Sequence, residues 1–375
     1  MARTAWVFLL ALTTLSVGEK SASAKQFKKA AYYGAGQRPS EVAVGDLNND
    51  GKADLIFADW LSNQIVILLG NGDGSFQKPI TIPAPSPTDL ALGDLNGDGN
   101  LDLVVTESGG SGSGTLAVYL GEGNGHFRLR AKYTLGAYAG AVTVADFDGD
   151  GKLDVAAVDE GSGSSGVLRI FPGTGKGTLG RPTVYKAAVW LGAPAAGDLG
   201  GGHLPDLAVT EPMDGSVAVF LNDGTGKFLK PVTYNAGGGE VVDVQIADLR
   251  NDGRNDLVAA NGSLSAVAVL LNKGDGTFGP VKLYPTHCDV EAVVVADFNL
   301  DGHLDAAVAA HIDNSALIYG KGDGTFGPPV VIKDEIGTDG GYSIASGNFI
   351  TGDQAPDLAI PIQDDGKVAI LLNTK

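Results

Sequence analysis

Seven short stretches of this sequence carry oxygen-bearing side chains at fixed offsets, a pattern suited to holding a hard cation. The first is GDLNNDGKADL, Gly45 to Leu55, and close copies start at Gly93, Ala145, Gly197, Ala247, Ala296 and Gly347. Calcium takes six to eight oxygens at about 2.3–2.6 Å. A loop that turns sharply at Gly can offer side chains 1, 3 and 5 and a backbone carbonyl at 7. Position 9 here adds a further Asp. In the first loop the ligands are then Asp46, Asn48, Asp50, the Lys52 carbonyl and Asp54. The second offers Asp94, Asn96, Asp98, the Asn100 carbonyl and Asp102, and the third Asp146, Asp148, Asp150, the Lys152 carbonyl and Asp154. The sixth offers Asp297, Asn299, Asp301, the His303 carbonyl and Asp305. These four loops are expected to bind Ca2+ structurally, tying the first two strands of a module together.

The other three loops lack the full set. The fifth has Arg250 at position 3 beside Asp248, Asp252 and Asp256, where a guanidinium could stand in for a metal. The fourth keeps Asp198 and Asp206 but has Gly200 and Gly202 between them, and the seventh starts with Asn348 and reaches Asp357 one residue late. Carboxylates packed into one loop repel by roughly 4 kcal/mol per pair at about 4 Å in an effective dielectric of about 20, so a cation or a proton is needed.

A second set of residues could do chemistry on the opposite face. His287, Asp289, Glu291, His311 and Asp313 fall in the sixth module, and two histidines with three carboxylates could form a metal site or an acid/base pair. His287, His311 and Asp313 are the catalytic candidates. Trp60 and Trp190 are candidate ligand-stacking residues, accompanied on that face by Arg38, Glu107, Asp159, Glu160, Glu211, Asp214, Asn261 and Tyr342. No nucleophile elbow, HExxH or phosphate-cradling glycine loop occurs.

The elements that position these loops follow from their spacing. The leading residues Asp46, Asp94, Asp146, Asp198, Asp248, Asp297 and Asn348 are 48, 52, 52, 50, 49 and 51 residues apart, the period of a repeat architecture. In the first module four strand-length stretches, Val42 to Leu47, Asp54 to Ala58, Gln64 to Leu69 and Phe76 to Ile82, are bounded by Gly, Asn, Asp or Pro. Four short strands repeated seven times predict an all-β, seven-bladed β-propeller with four-stranded antiparallel blades. Second strands such as Asp102 to Glu107 are continuously apolar, as expected when blades stack on both faces. Third strands end in Gly/Asp turns, for example LLGNGDGSF to Phe76 and LLNKGDGTF to Phe278, whose final Phe should enter the core. A small residue precedes every loop, which suits an inner strand crowded at an axis.

The last module stops at its third strand, Val368 to Leu372, whereas Gln26 to Tyr33 occupies the place of a fourth strand ahead of the first loop. The N-terminal segment is therefore expected to complete the last blade and close the ring. With its DxNxDGxxDL loops and GDGTF turns, the chain resembles the FG-GAP and VCBS repeat family of integrin-α-like seven-bladed propellers from 25 to 375. The resemblance implies the fold. The family spans adhesion modules, lectins and lyase propellers, so the function implied is correspondingly broad.

Composition sets the remaining bounds. The 375 residues include 56 Gly and 17 Pro, fitting a single turn-rich domain over 25–375. A net charge of −18 argues against nucleic acid or an anionic membrane as partner and for cations or neutral ligands. Arg3, the apolar run Ala5 to Leu15 and the ending Ala22-Ser23-Ala24 are laid out as a secretory signal cleaved after Ala24, predicting a secreted or periplasmic protein. Cys288 is the single cysteine, so metal and ring closure must replace disulfides. Asn261-Gly262-Ser263 is a glycosylation sequon. The expected function is a binding or adhesion module for carbohydrate or an extracellular protein. The competing readings are a polysaccharide lyase-like enzyme using the sixth-module cluster and a purely structural repeat protein.

Overall fold

The computed structural model describes residues 26–108, 113–136, 138–160, 165–187, 190–311, 314–332 and 341–375. The expected signal segment and Asp313 lie outside the described residues. Seven four-stranded antiparallel sheets form a closed ring, a seven-bladed β-propeller. Blade 1 runs Pro39–Gly45, Asp54–Asp59, Gln64–Leu68 and Ile80–Pro83 from the inside outward. The first strands of successive blades touch each other around the axis, and that of blade 7, Ala345–Gly347, meets that of blade 1. Among the described residues no helix is long and apolar enough to cross a membrane.

The second strands bear out the apolar pattern: all seven, from Asp54–Asp59 to Asp357–Ile362, are buried at every position. Blade-to-blade stacking explains this, since hydrophobic clusters join each second strand to its neighbours on either side, as Ile56 and Ala58 join Leu103 and Val105. The turn residues Phe76, Phe127, Leu179, Phe228, Phe278 and Phe326 are all buried. Edge-to-face pairs lock several of them, including Tyr234 on Phe278 at 5.1 Å and Tyr284 on Phe326 at 5.3 Å.

Two expectations of detail change. The fourth strand of blade 1 begins at Ile80, later than Phe76, which keeps only an isolated bridge to Gly70 before Pro79 withdraws an amide donor. The small residue ahead of each loop makes room for the next blade more than for the axis. A Cβ on Gly45 would sit 2.7 Å from Leu101 and 3.1 Å from Leu92, and one on Gly347 would sit 2.7 Å from Val44.

The ring closes as expected. Ala31–Gly34 pairs antiparallel with Lys367–Leu371 of blade 7, Ala31 opposite Ile370 and Gly34 opposite Lys367. Ahead of it the Lys28 amide donates to the Leu372 carbonyl at 2.8 Å, and the Gln26 side chain donates to the Phe298 carbonyl in blade 6.

Candidate functional site

Six of the seven loops share one frame whether or not their ligand set is complete; in the seventh, Asn348 donates to the Asp353 carbonyl instead. In the first, Asp46 accepts the amides of Asp50 and Gly51 at 3.1 and 2.8 Å, and Asn48 accepts Asp50 at 3.0 Å. The Asp at position 9, or position 10 in the seventh loop, is buried in all seven blades, and in six of them its oxygens span two segments. Asp54 accepts Leu47 of its own loop at 2.8 Å and Gly70 of the following turn at 2.7 Å. Asp206 and Asp357, in loops without a full ligand set, do the same with Leu199 and Asn222 and with Phe349 and Asn373. This Asp is thus an amide-to-amide strut in six blades, a role separate from any metal, while in blade 5 Asp256 accepts the Asn272 amide and the Arg250 guanidinium.

Positions 1, 3 and 5 are where the loops differ. In the third, oxygens of Asp146, Asp148 and Asp154 lie within 4.8 Å of one another. In the fifth, the Arg250 guanidinium occupies the corresponding space: Nη2 is 2.7 Å from Asp256 Oδ1, Nε is 3.2 Å from Oδ2, and Nη1 is 3.3 Å from Asp252. A cation thus sits among the carboxylates of the loop that lost a ligand, which is the chemistry the complete loops would satisfy with Ca2+. Burial, with Asp50 and Asp46 adding to it, pushes Asp54 up to about 6. Burial and Asp301 push Asp305 up to about 7. Lys152 holds Asp150 below the ordinary carboxylate range.

On the opposite face the structure sorts the expected residues. Glu107, Asp159, Glu211 and Asn261 end the second strands of their blades, are buried, and are already engaged. Glu107 takes Thr115 and Lys132, Asp159 takes Arg169 at 3.2 Å, and Glu211 takes Ser216. The Asn261 amide donates to the carbonyls of Ala236 at 3.0 Å and Gly238 at 2.8 Å with no exposed surface, so the folded sequon offers no acceptor nitrogen. Trp60 is 37% exposed, with the Arg38 guanidinium 5.4 Å above its ring. Trp190 is 39% exposed and hydrogen-bonds Glu160.

Trp190 and Tyr342 help line a cavity of about 430 Å³ at the end of the central channel away from the metal loops; Trp60 does not reach it. The cavity also contains carboxylates outside the loop motifs: Glu41, Asp89 and Asp243. Each lies five residues before a loop's leading Asp, a shared offset that is their one mark in the sequence. A β-bulge early in the first strand, between Pro39 and Glu41, Pro87 and Asp89, and Val241 and Asp243, re-aims these side chains. Asp89 accepts its neighbour Leu90 at 2.6 Å and Val142 of the next blade at 2.7 Å; Asp243 does likewise with Val244 and Val293. Glu41 accepts the Ser343 hydroxyl at 2.8 Å. Burial, with like charges across the channel, lifts Glu41 well above its usual range and Asp89 up to about 7, and burial lifts Asp243.

The sixth blade brings part of its expected cluster together. A ring nitrogen of His311 and oxygens of Asp289 and Glu291 lie within 4.8 Å of one another; His287, at φ 62°, is not in the group. Burial, Asp289 and Glu240 push Glu291 up to about 7. His311 Nε2 and the Tyr342 hydroxyl are 2.7 Å apart.

Comparison with known proteins agrees with this architecture. The FG-GAP-like repeat family matches at 46–105, 94–157, 146–209, 203–259 and 248–308. No curated protein matches the chain. A solved lectin from Agrocybe aegerita, described with specific recognition of non-reducing terminal N-acetylglucosamine, is 18% identical with a TM-score of 0.59, covering 93% of this chain and 96% of the lectin. BBS1N, solved in complex with ARL6DN in a mercury-soaked crystal, is 14% identical with a TM-score of 0.65, covering 93% and 97%. At these identities the likeness is one of fold.

Proposed function

The chain belongs to the FG-GAP-like repeat family, and on that premise we propose that it is an exported, calcium-stabilised propeller acting as a binding module. The ligand is carbohydrate, taken at the cavity on the face opposite the calcium loops. The observation that carries this reading is the cavity itself: about 430 Å³, within the range of small-ligand sites, with Trp190 and Tyr342 on its wall and hydrogen-bond acceptors at its base. An aromatic face stacks on the C–H face of a sugar ring, and carboxylates accept its hydroxyls. The lectin and the BBS1N complex are both propellers described with a bound partner, one a sugar and one a protein, which supports a binding role.

The Asp, Asn and carbonyl oxygens of loops one, two, three and six would hold calcium, and the ion would supply the positive charge that Arg250 supplies in loop five. Loop integrity would then position the first strands and, through them, the cavity. The test is a glycan array with residues 25–375, in calcium and in chelator, together with Trp190→Ala. Calcium-dependent glycan binding lost in the variant supports the reading. A blank array from folded, calcium-loaded protein would transfer the role to a protein ligand, and product release from a polysaccharide would make the chain an enzyme.

A further inference from the structure

We propose that Asp289, Glu291 and His311 form a binding site for a divalent transition metal of the zinc type, distinct from the calcium loops. Two segments bring these residues together. Asp289 directly precedes the first strand of blade 6, Val290–Ala296, Glu291 is its second residue, and His311 directly follows the second strand, Asp305–Ala310. The His311 amide donates to the Asp289 carbonyl at 3.2 Å, lacing the two segments at the site.

The donor set is imidazole plus two carboxylates, which suits zinc, manganese or iron better than calcium, an ion that takes oxygen alone. Three atoms no more than 4.8 Å apart lie within about 2.8 Å of a common centre, so closing to zinc bonding distances of about 2.0–2.2 Å needs side-chain shifts below an ångström. Tyr342 supplies an independent argument. Its hydroxyl is 2.7 Å from His311 Nε2 and its ring lies 4.6 Å from the imidazole. Such a partner holds the ring orientation, and in the tautomer whose Nε2–H donates to the Tyr342 oxygen the lone pair on Nδ1 is available to a metal.

Three protein ligands leave coordination positions open. Glu291 and Tyr342 both line the channel cavity, so the open positions would be accessible from it. A hydroxyl or carboxylate entering the cavity could complete the coordination. The metal site does not depend on that ligand being a sugar.

The experiment is calorimetric titration of Zn2+ into the full chain, with millimolar calcium present to occupy the loops. Wild-type protein should take up one Zn2+. His311→Ala and Glu291→Gln should abolish that uptake, and Tyr342→Phe, which keeps the ring stack, should weaken it by roughly tenfold. Lys176→Ala, at an exposed position in the turn after the third strand of blade 3, should leave it unchanged. Circular dichroism on each variant separates loss of the site from loss of the fold, and the shift of the His311 imidazole NMR signals on adding Zn2+ reads the site directly. No zinc uptake by wild type, unchanged uptake in folded His311→Ala, or His311 signals that do not move would each overturn the proposal.

Discussion

Arg250 lies across Asp256 in a two-pronged contact, Nη2 to Oδ1 at 2.7 Å and Nε to Oδ2 at 3.2 Å. Asp256 is fully buried, so the guanidinium neutralises a charge that water cannot reach. Removing one partner of such a pair leaves the other uncompensated, and Arg250→Ala should cost about 3–5 kcal/mol in urea unfolding. Arg250→Asn recreates the first loop's ligand pattern with Asp248, Asp252 and Asp256. Its melting temperature should rise with calcium by more than that of wild type. An equal calcium response in the two proteins would mean that the guanidinium does not occupy a cation's place.

Calcium itself should stabilise the wild-type chain. The four complete loops hold thirteen Asp, so chelator should lower the melting temperature relative to millimolar calcium, in proportion to binding. The same midpoint by differential scanning calorimetry in both conditions would count against structural calcium.

The position-9 struts should matter even where no metal is expected. Asp206 accepts Leu199, Gly200 and Asn222 at 2.7, 2.7 and 2.6 Å. Asp206→Ala strands those amides and should cost about 3 kcal/mol with chelator present. A loss below about 0.5 kcal/mol, the ordinary surface value, would refute the strut.

Loop six carries a cost that can be removed. Leu300 sits at φ 60°, the left-handed position filled by Gly97 and Gly149 in loops two and three, and is 45% exposed. A left-handed side chain costs about 1–2 kcal/mol, partly offset by the greater unfolded freedom of Gly, so Leu300→Gly should stabilise by about 0.5–1 kcal/mol. Destabilisation in a thermal melt would contradict this.

The channel carboxylates set a pH dependence. Glu41, whose carboxyl is raised well above its usual range, faces Asp89, Asp243 and the Ser343 hydroxyl, and Asp89 is raised to about 7. A carboxyl with a raised folded pKa keeps its proton in the native state when the unfolded chain has lost it. Stability from this source is full below about pH 4 and declines as pH climbs through about 7. The Glu41→Gln, Asp89→Asn double variant should therefore lose less stability than wild type between pH 5 and 7.5, by at least about 1 kcal/mol. Parallel urea-derived stability curves would rule out this role.

The blades, the closing strand and the Arg250 substitution were legible because each is written in the sequence at a repeated offset. Glu41, Asp89 and Asp243 also share an offset, five residues ahead of a leading Asp, but it does not say where the side chain points; the bulge that turns it toward the axis is a backbone irregularity. Glu107, Asp159, Glu211 and Asn261 were expected among the residues of the ligand face, and their engagement was hidden for the converse reason. They close the second strands where loop amides and neighbouring side chains turn inward, and they are consumed there.

The seam of the ring has a mechanical consequence. Because Ala31 opposes Ile370 and Gly34 opposes Lys367, with Phe27 bridged to Asn373 farther along, the chain ahead of the seam and the chain after it leave from the same end of the strand pair. Tension between those two ends loads the hydrogen bonds one at a time, as in unzipping, rather than together in shear. The other blades are closed by continuous chain and share no such weak direction. If both ends were tethered to different surfaces, blade 7 would open first and at low force, making the seam a fuse that yields while the other blades stay folded.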